Sequence, residues 1–319
     1  MLVSVKGVRY DTDSLEQIGL GGQGQVYKIT DPQNPHRNLA LKVYDEHNGE
    51  MANKLSVCVN LDVYRQIRQF STAPICCATD SHNRVVGFTM RLLEGYFSVA
   101  DTADLGYCIR NKITLRRVAA LFAELHNILT NVHAAGFLVG DFRGSNIQFK
   151  PAGENWNITF MDVDSWAINR NGVQYACTAI HPSVQRPKLS SFSSLSAKHD
   201  WYAFAHQFAA SLLKWDPFTK GFHPSLTSDQ RRAQGITCWD PTVQLTDVEK
   251  MHDFRFGERL INILRVWLSG QITGVFPRQR IIDFAKSLTF CKGYLDNGKF
   301  CRFEVSNTIG RCPRCNSIL

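Results

Sequence analysis

The residues of this chain best suited to chemistry are Asp141, Arg143 and Asn146, in the stretch Val139-Gly140-Asp141-Phe142-Arg143-Gly144-Ser145-Asn146, and Asp162, at the end of the apolar run Ile158-Thr159-Phe160-Met161. Phosphoryl transfer from a nucleotide needs little covalent help from a protein. It needs one carboxylate to orient the attacking hydroxyl, and oxygen ligands to hold magnesium against the phosphates. On that reading Asp141 is the base or orienting group, Arg143 a cation on the phosphate side, and Asn146 and Asp162 the magnesium ligands. Carboxylates and amides are also ordinary loop residues, so Asp-x-x-x-x-Asn takes its meaning from the elements that precede it.

Those elements begin with Ile18-Gly19-Leu20-Gly21-Gly22-Gln23-Gly24-Gln25-Val26-Tyr27-Lys28, where Gly19, Gly21 and Gly24 form a Gly-x-Gly-x-x-Gly spacing followed by Val26. Glycines there let backbone amides approach phosphate oxygens. The same triplet marks the dinucleotide fold when a helix follows it. Here Gln25-Val26-Tyr27-Lys28-Ile29-Thr30 is β-branched and aromatic, which points to a hairpin instead. Residues 2–10 alternate apolar and polar as an edge strand or hairpin does, and Leu39-Ala40-Leu41-Lys42-Val43-Tyr44 reads as a strand carrying one lysine. Residues 50–70 read as helical or mixed, Val85 to Met90 as a buried strand, and Leu92-Leu93-Glu94-Gly95 as a connector. Residues 114–135 have apolar side chains at helical spacing and stop at Gly136. That helix delivers the chain to Asp141. A second apolar helix begins near His199, with Asp200 read as a charge against its N-terminal dipole. Two more helices are expected over 257–270 and 278–289.

With 319 residues, 44% of them hydrophobic, the chain can bury a sizeable core in about two lobes. The net charge of +8 has no run of five cations behind it, so an acidic ligand such as a nucleotide, or an acidic partner, explains it better than nucleic acid. No 18-residue apolar stretch and no signal-peptide layout appear, so the expectation is a cytoplasmic protein without membrane contact.

The ordered parts, Gly19/Gly21/Gly24/Val26, Lys42, Asp141 with Asn146, Asp162 and a helix opening at Asp200, resemble the eukaryotic-like protein-kinase family over about residues 13–288. The resemblance implies an α+β bilobal fold: a β-rich N-lobe over 1–92, a helical C-lobe over 93–288, and ATP between them. It implies that Gly19, Gly21, Gly24 and Val26 cover the nucleotide, that Lys42 grips its α- and β-phosphates, and that Met90, Leu92 and Leu93 lie against adenine. The implied activity is ATP- and magnesium-dependent transfer to a protein hydroxyl, serine or threonine.

Departures from the family pattern carry their own expectations. Val139-Gly140-Asp141 replaces His-Arg-Asp, so the arginine that pairs with a phosphorylated activation loop is missing, and phosphate at Thr178 or Ser183 should matter less. Asp162-Val163-Asp164 replaces Asp-Phe-Gly, and Asp164 either binds magnesium or caps a turn. Arg186-Pro187-Lys188 stands where Ala-Pro-Glu should, so Arg280 would face a cation instead of the family's glutamate. The acid that should pair with Lys42 is Glu50 or Asp62, with Glu50 preferred. Gly-Asp and Asp-x-Asp also resemble aminoglycoside and choline kinases, although those tend to carry histidine where this chain has Arg143. A pseudokinase scaffold is the third reading; Lys42, Asp141, Asn146 and Asp162 all being present argues against it. Val-Gly-Asp with Asp-Val-Asp-Ser-Trp looks like the bacterial kinases of tellurite-resistance-type phosphorylation triads, whose companions are a PP2C-type phosphatase and a von Willebrand factor A-domain protein.

Residues 289–319 carry four of the ten cysteines: Cys291, Cys301, Cys312 and Cys315. Cys312-Pro313-Arg314-Cys315 is a zinc-knuckle spacing, and four thiolates close a tetrahedral structural site. The tail therefore reads as a zinc-ribbon-like docking or stabilising module.

Overall fold

Alternation over the first ten residues folds as a hairpin, β1 (Leu2–Val5) and β2 (Val8–Asp11), in the computed structural model, which describes residues 1–21, 23–153, 155–180, 194–271 and 274–319. The glycine-rich stretch is a second hairpin, β3 (Glu16–Gly21) and β4 (Gly24–Asp31), closing at the pair Gly21 and Gly24. Strand β5 (Asn34–Tyr44) carries Lys42, helix α1 (Gly49–Asn60) follows, and β6 (Cys76–Thr79) and β7 (Val85–Arg91) complete the sheet. Its seven strands run β2-β1-β6-β7-β5-β4-β3, each antiparallel to its neighbours. The first ten residues are thus both hairpin and edge, because β1 pairs with β6.

Two apolar surfaces hold Lys42's strand from opposite sides. Val3, Val5, Ile29, Leu39, Leu41 and Val43 fill one face, while Met51 and Leu55 of α1 pack on Phe88 across the other. A Cβ at Gly87 would run into the carbonyl of Lys42, so glycine is what lets β7 approach β5 there.

Past the connector Leu92 to Gly95, the second lobe opens with β8 (Phe97–Ser98), α2 (Leu105–Arg110) and the 20-residue helix α3 (Leu115–Ala134). Thr114 caps α3 through its hydroxyl and Gly136, at φ +83°, turns the chain out of it. Then come β9 (Phe137–Leu138), the hairpin β10 (Ile147–Ala152) and β11 (Asn155–Phe160), and β12 (Ala167–Arg170) with β13 (Val173–Tyr175). Helix α4 (Ala197–Leu213) crosses α3 through ring contacts of Phe122 with Phe204 and Phe208. Short helices α5 (Ser228–Gln234) and α6 (Asp247–Phe254), which the sequence reading passed over, precede α7 (Glu258–Leu268) and α8 (Arg278–Ser287). The tail begins with β14 (Leu288–Phe290), paired to β15 (Glu304–Ser306). Among the described residues no helix is long and apolar enough to cross a membrane.

Candidate active site

The loop from Val139 to Asn146 leaves β9 and enters β10. Asp141 and Asn146 are both buried, and Asn146 Nδ2 donates to Asp141 Oδ2 at 2.9 Å. That use of Nδ2 leaves the Asn146 Oδ1 as an oxygen for a cation. Arg143, largely exposed, reaches the same Asp141 oxygen with Nε at 3.2 Å. The Met161 amide donates to the Asn146 carbonyl at 2.8 Å, which places Asp162 beside the loop. Asp162 stands in left-handed backbone at φ +52° and opens a one-turn helix over Val163–Ser165, its carboxylate partly exposed.

Beneath this loop lies Asp200, fully buried at the start of α4. Its Oδ1 accepts the Gly140 amide at 2.9 Å, and its Oδ2 accepts the Val139 amide and His133 Nε2, both also at 2.9 Å. The charge near the start of α4 is therefore also a brace that fixes the turn ahead of Asp141. Gly140 has φ +69°, and a Cβ there would collide with Cys177 Sγ. The space that any side chain at this position would enter first is filled by that thiol.

Lys42 crosses from the sheet to meet this second lobe. Its ammonium is 2.9 Å from Asp164 Oδ2 and 3.4 Å from Asp162 Oδ1. The Tyr44 hydroxyl, from the same strand, donates to that Asp164 oxygen at 2.7 Å. Burial alone would lower the Lys42 pKa, but the carboxylates of Asp164 and then Asp162 raise it above the ordinary lysine value. Burial likewise pushes the Asp164 carboxyl up, and Lys42, Tyr44 and Lys54 more than reverse this, holding it below the ordinary carboxylate range. Asp164 is fully buried, and its Oδ1 has no hydrogen-bond partner among the described residues.

Neither acid expected beside Lys42 is there. Glu50 is exposed in the first turn of α1, where Asn48 caps the helix and the acid faces outward. Asp62 has left the helix altogether; at φ +49° it pairs with Arg68 at 2.7 Å. The buried stripe of α1 is Met51, Lys54, Leu55 and Cys58, so the polar group that this helix turns inward is a cation. Lys54 Nζ donates to the carbonyls of Asp164 at 2.6 Å and Trp166 at 2.7 Å. Sequence reasoning missed Lys54, Tyr44, His133 and the brace at Asp200. A lysine in register with the apolar face of α1 was the available signal for the first of these.

Around Lys42 the sheet brings together the other expected contacts. Val26 on β4 is its cross-strand partner, and Met90 on β7 pairs with Ala40 of β5. Leu92 and Leu93 follow as a half-buried connector, held by Arg91 Nη2 on Thr159 Oγ1 at 2.7 Å and by Lys28 on Glu94 at 3.3 Å. Gly19 and Gly21 meet nothing closer than ordinary van der Waals contact, whereas a Cβ at Gly24 would collide with the Val43 carbonyl. Gly24 is thus required for packing, and Gly19 and Gly21 leave room above the strand. Ser183 and Arg186-Pro187-Lys188, the expected counterpart of Arg280, lie outside the described residues.

In the tail, all four sulfurs of Cys291, Cys301, Cys312 and Cys315 lie within 4.8 Å of one another, with Cys291 to Cys315 at 3.4 Å and Cys301 to Cys312 at 3.7 Å. A tetrahedron with Zn–S bonds of about 2.3 Å has sulfurs about 3.8 Å apart, so the donor set fits zinc. The tail is docked, not tethered. The Glu304 carboxylate accepts the first two amides of α3, Leu115 at 2.6 Å and Arg116 at 3.0 Å, and the Ser306 amide donates to the Arg255 carbonyl at 2.8 Å.

By sequence, no protein-family model and no curated protein matches the chain. In structure it is similar to a double-mutant form of the PknI kinase domain of Mycobacterium tuberculosis, at a TM-score of 0.52 and 15% identity, over 85% of this chain and 91% of that one. A second double mutant of that domain gives a TM-score of 0.49 at the same identity and coverage. The chain, an α+β molecule of a sheet lobe and a helical lobe, has the fold of a protein-kinase domain.

Proposed function

We propose that this chain is a protein kinase, dependent on ATP and magnesium, that transfers the γ-phosphate to a serine or threonine hydroxyl. The observation that carries the reading is convergence: Lys42, from the sheet lobe, reaches Asp162 and Asp164 of the helical lobe, and Asp162 is tied through Met161 to the loop that joins Asp141 to Asn146. Asp141 orients the substrate hydroxyl and takes its proton as the oxygen attacks the γ-phosphorus and the bond to the ADP oxygen breaks. Arg143, exposed beside Asp141, faces the phosphate side. Lys42 holds the α- and β-phosphates beneath the Gly19 to Gly24 hairpin, with Met90, Leu92 and Leu93 against adenine. Asn146 and Asp162 would hold magnesium through their oxygens, and the ion would supply charge neutralisation for the phosphates. Asp164, buried against two cations and a hydroxyl, we assign to Lys42 instead of to the metal.

We read residues 1–92 as the N-lobe, 93–288 as the C-lobe and 289–319 as a structural zinc module, in a cytoplasmic protein acting with a PP2C-type phosphatase and a von Willebrand factor A-domain protein. Incubation with labelled ATP and magnesium, with generic protein substrates or with aminoglycosides, tests the activity. Label in protein, lost in Asp141→Asn and Asp162→Ala, is the expected result. Label in aminoglycosides only, or activity surviving either change within a few-fold, would overturn it. Elemental analysis of protein purified without added metal should give about one zinc per chain, and near none in a Cys312→Ser/Cys315→Ser variant. A metal-free wild type would end the zinc assignment.

A further inference from the structure

The inward face of α1 poses a physical problem. Lys54 is 1% exposed on a stripe otherwise made of Met51, Leu55 and Cys58, and burying an ammonium is costly unless its donors are used. It uses them on backbone: the carbonyls of Asp164 and Trp166, which lie within and just after the one-turn helix Val163–Ser165. Val163 and Trp166 are packed in the core of the helical lobe, and most of the turn's other hydrogen bonds are local: the Trp166 amide donates to the Val163 carbonyl at 3.2 Å. The Ser165 amide and hydroxyl both return to the Asp162 carbonyl, at 3.1 and 2.7 Å, and the Thr178 amide donates to the Ser165 carbonyl at 2.9 Å. Two fixed carbonyls on so short a turn add to that packing in setting its rotation, and with it the direction of the Asp162 carboxylate at its start.

The partner of Lys42 is supplied by the same turn, through the Asp164 side chain. One segment therefore carries the expected metal ligand, the anion for the phosphate lysine, and the grip of the helix. We propose that Lys54 is a positioning residue: through the Asp164 and Trp166 carbonyls it couples the placement of α1 to the direction in which Asp162 faces magnesium and Asp164 faces Lys42. A helix that shifted outward would then unlock the metal ligand directly. No acid on α1 takes part.

The inference rests on the kinase reading for its catalytic consequence, and its test separates the two. Lys54→Met keeps the side chain's length and apolar stem while removing its donors. We expect kcat to fall about 100-fold, the scale of a catalytic group misplaced by about an ångström. The magnesium concentration for half-maximal rate should rise about tenfold or more, as for loss of an outer-shell partner. ADP binding measured without magnesium should stay within about threefold. Lys54→Gln, with one donor restored at shorter reach, should lie between, a rescue that loss of packing would not give. It takes over the test if Lys54→Met does not fold. Hydrogen exchange at the Ser165 and Trp166 amides, measured with no ligand, should quicken about tenfold or more in either variant. Unchanged exchange at those amides, or a magnesium dependence within twofold of wild type, would overturn the proposal. Wild-type protein that transfers no phosphate would remove the kinase reading alone, and the exchange experiment would still decide whether Lys54 holds the turn.

Discussion

Asp164 and Asp200 are both fully buried carboxylates in the helical lobe, and both serve the same cleft, yet they are built in opposite ways. Asp200 accepts two backbone amides and one imidazole, with both oxygens engaged. The Asp164 carboxylate accepts from Lys42 and the Tyr44 hydroxyl while its backbone carbonyl accepts from Lys54, and its Oδ1 has no hydrogen-bond partner among the described residues. The first is a hydrogen-bonded brace whose work is finished on folding. The second belongs to a charged cluster in which two buried cations, Lys42 and Lys54, share one buried anion and the partly exposed Asp162. Two cations against two carboxylates leave the cluster without surplus charge, but unlike the Asp200 brace its anions hold a lysine in the cleft where the kinase reading places triphosphate oxygens.

The comparison can be broken by removing each carboxylate in turn. Asp164→Ala strips Lys42 and Lys54 of their buried counterion and should destabilise the chain most, by about 3–5 kcal/mol. Saturating ATP with magnesium should restore a measurable part of that loss, because phosphate supplies charge where the carboxylate was. Asp200→Ala should cost less, about 3 kcal/mol, from two buried amides and a histidine left without acceptors. Nucleotide should restore none of it beyond the shift that binding gives the wild type. Thermal unfolding with and without nucleotide reads both. Equal rescue of the two variants would mean that the clusters do not differ in the way described here.

A weaker version of the Asp200 brace operates at the far end of α3. Glu304, on a strand of the tail, accepts the amides of Leu115 and Arg116, doing for that end of the helix what a capping carboxylate does. Glu304→Ala should lower stability by about 1 kcal/mol. Under the zinc proposal, chelation should reproduce this effect, because β15 holds Glu304 against the helix only while the tail is folded. If chelation exposes the tail to protease but leaves the α3 N-terminal amides as protected as before, the tail does not support α3.

How much of this could be read beforehand follows from distance along the chain. Asp141 and Asn146 fall in one loop, so their spacing already implied their meeting. Lys42 was recognisable from its strand and the glycine hairpin before it. Its partner was not, because the pairing of Lys42 with Asp164 joins two lobes and depends on which face of α1 turns inward. Asp200 read as a dipole charge because a lone acid near a helix start is usually that; only the fold shows the loop amides converging on it. Glu304 gave no signal at all, being one acid on a three-residue strand whose register with β14 decides what it touches. The four tail cysteines, in contrast, could be grouped from their crowding alone, and the hairpin between Cys291 and Cys301 explains why that pair is spaced by nine residues: β14 and β15 pair across it, and the Cys291 amide donates to the Phe303 carbonyl at 2.9 Å.

The smallest expected effect sharpens the comparison most, because it concerns the residue that analogy selects. If Lys42 needed an acid from α1, Glu50 would be the one, and Glu50→Gln would weaken ATP binding and transfer together. In this structure Lys42 already has a partner at 2.9 Å with the Tyr44 hydroxyl on the same oxygen. Glu50 is exposed in the first turn of α1, one turn before Lys54 on the helix, with its carboxylate in solvent and not against Lys42. An exposed acid there contributes its interaction with the helix dipole, about 0.3–1 kcal/mol and screened by salt, beside a small attraction to Lys54. Glu50→Gln should therefore change stability by no more than about 0.5 kcal/mol, with the difference shrinking as salt is added, and should leave the KM for ATP and kcat within about twofold. The Asp164 variants should lose both. Should Glu50→Gln instead raise the KM for ATP tenfold while Asp164→Asn leaves it unchanged, the helix acid would be the working partner of Lys42, and the cluster around Asp164 would be packing with charge in it.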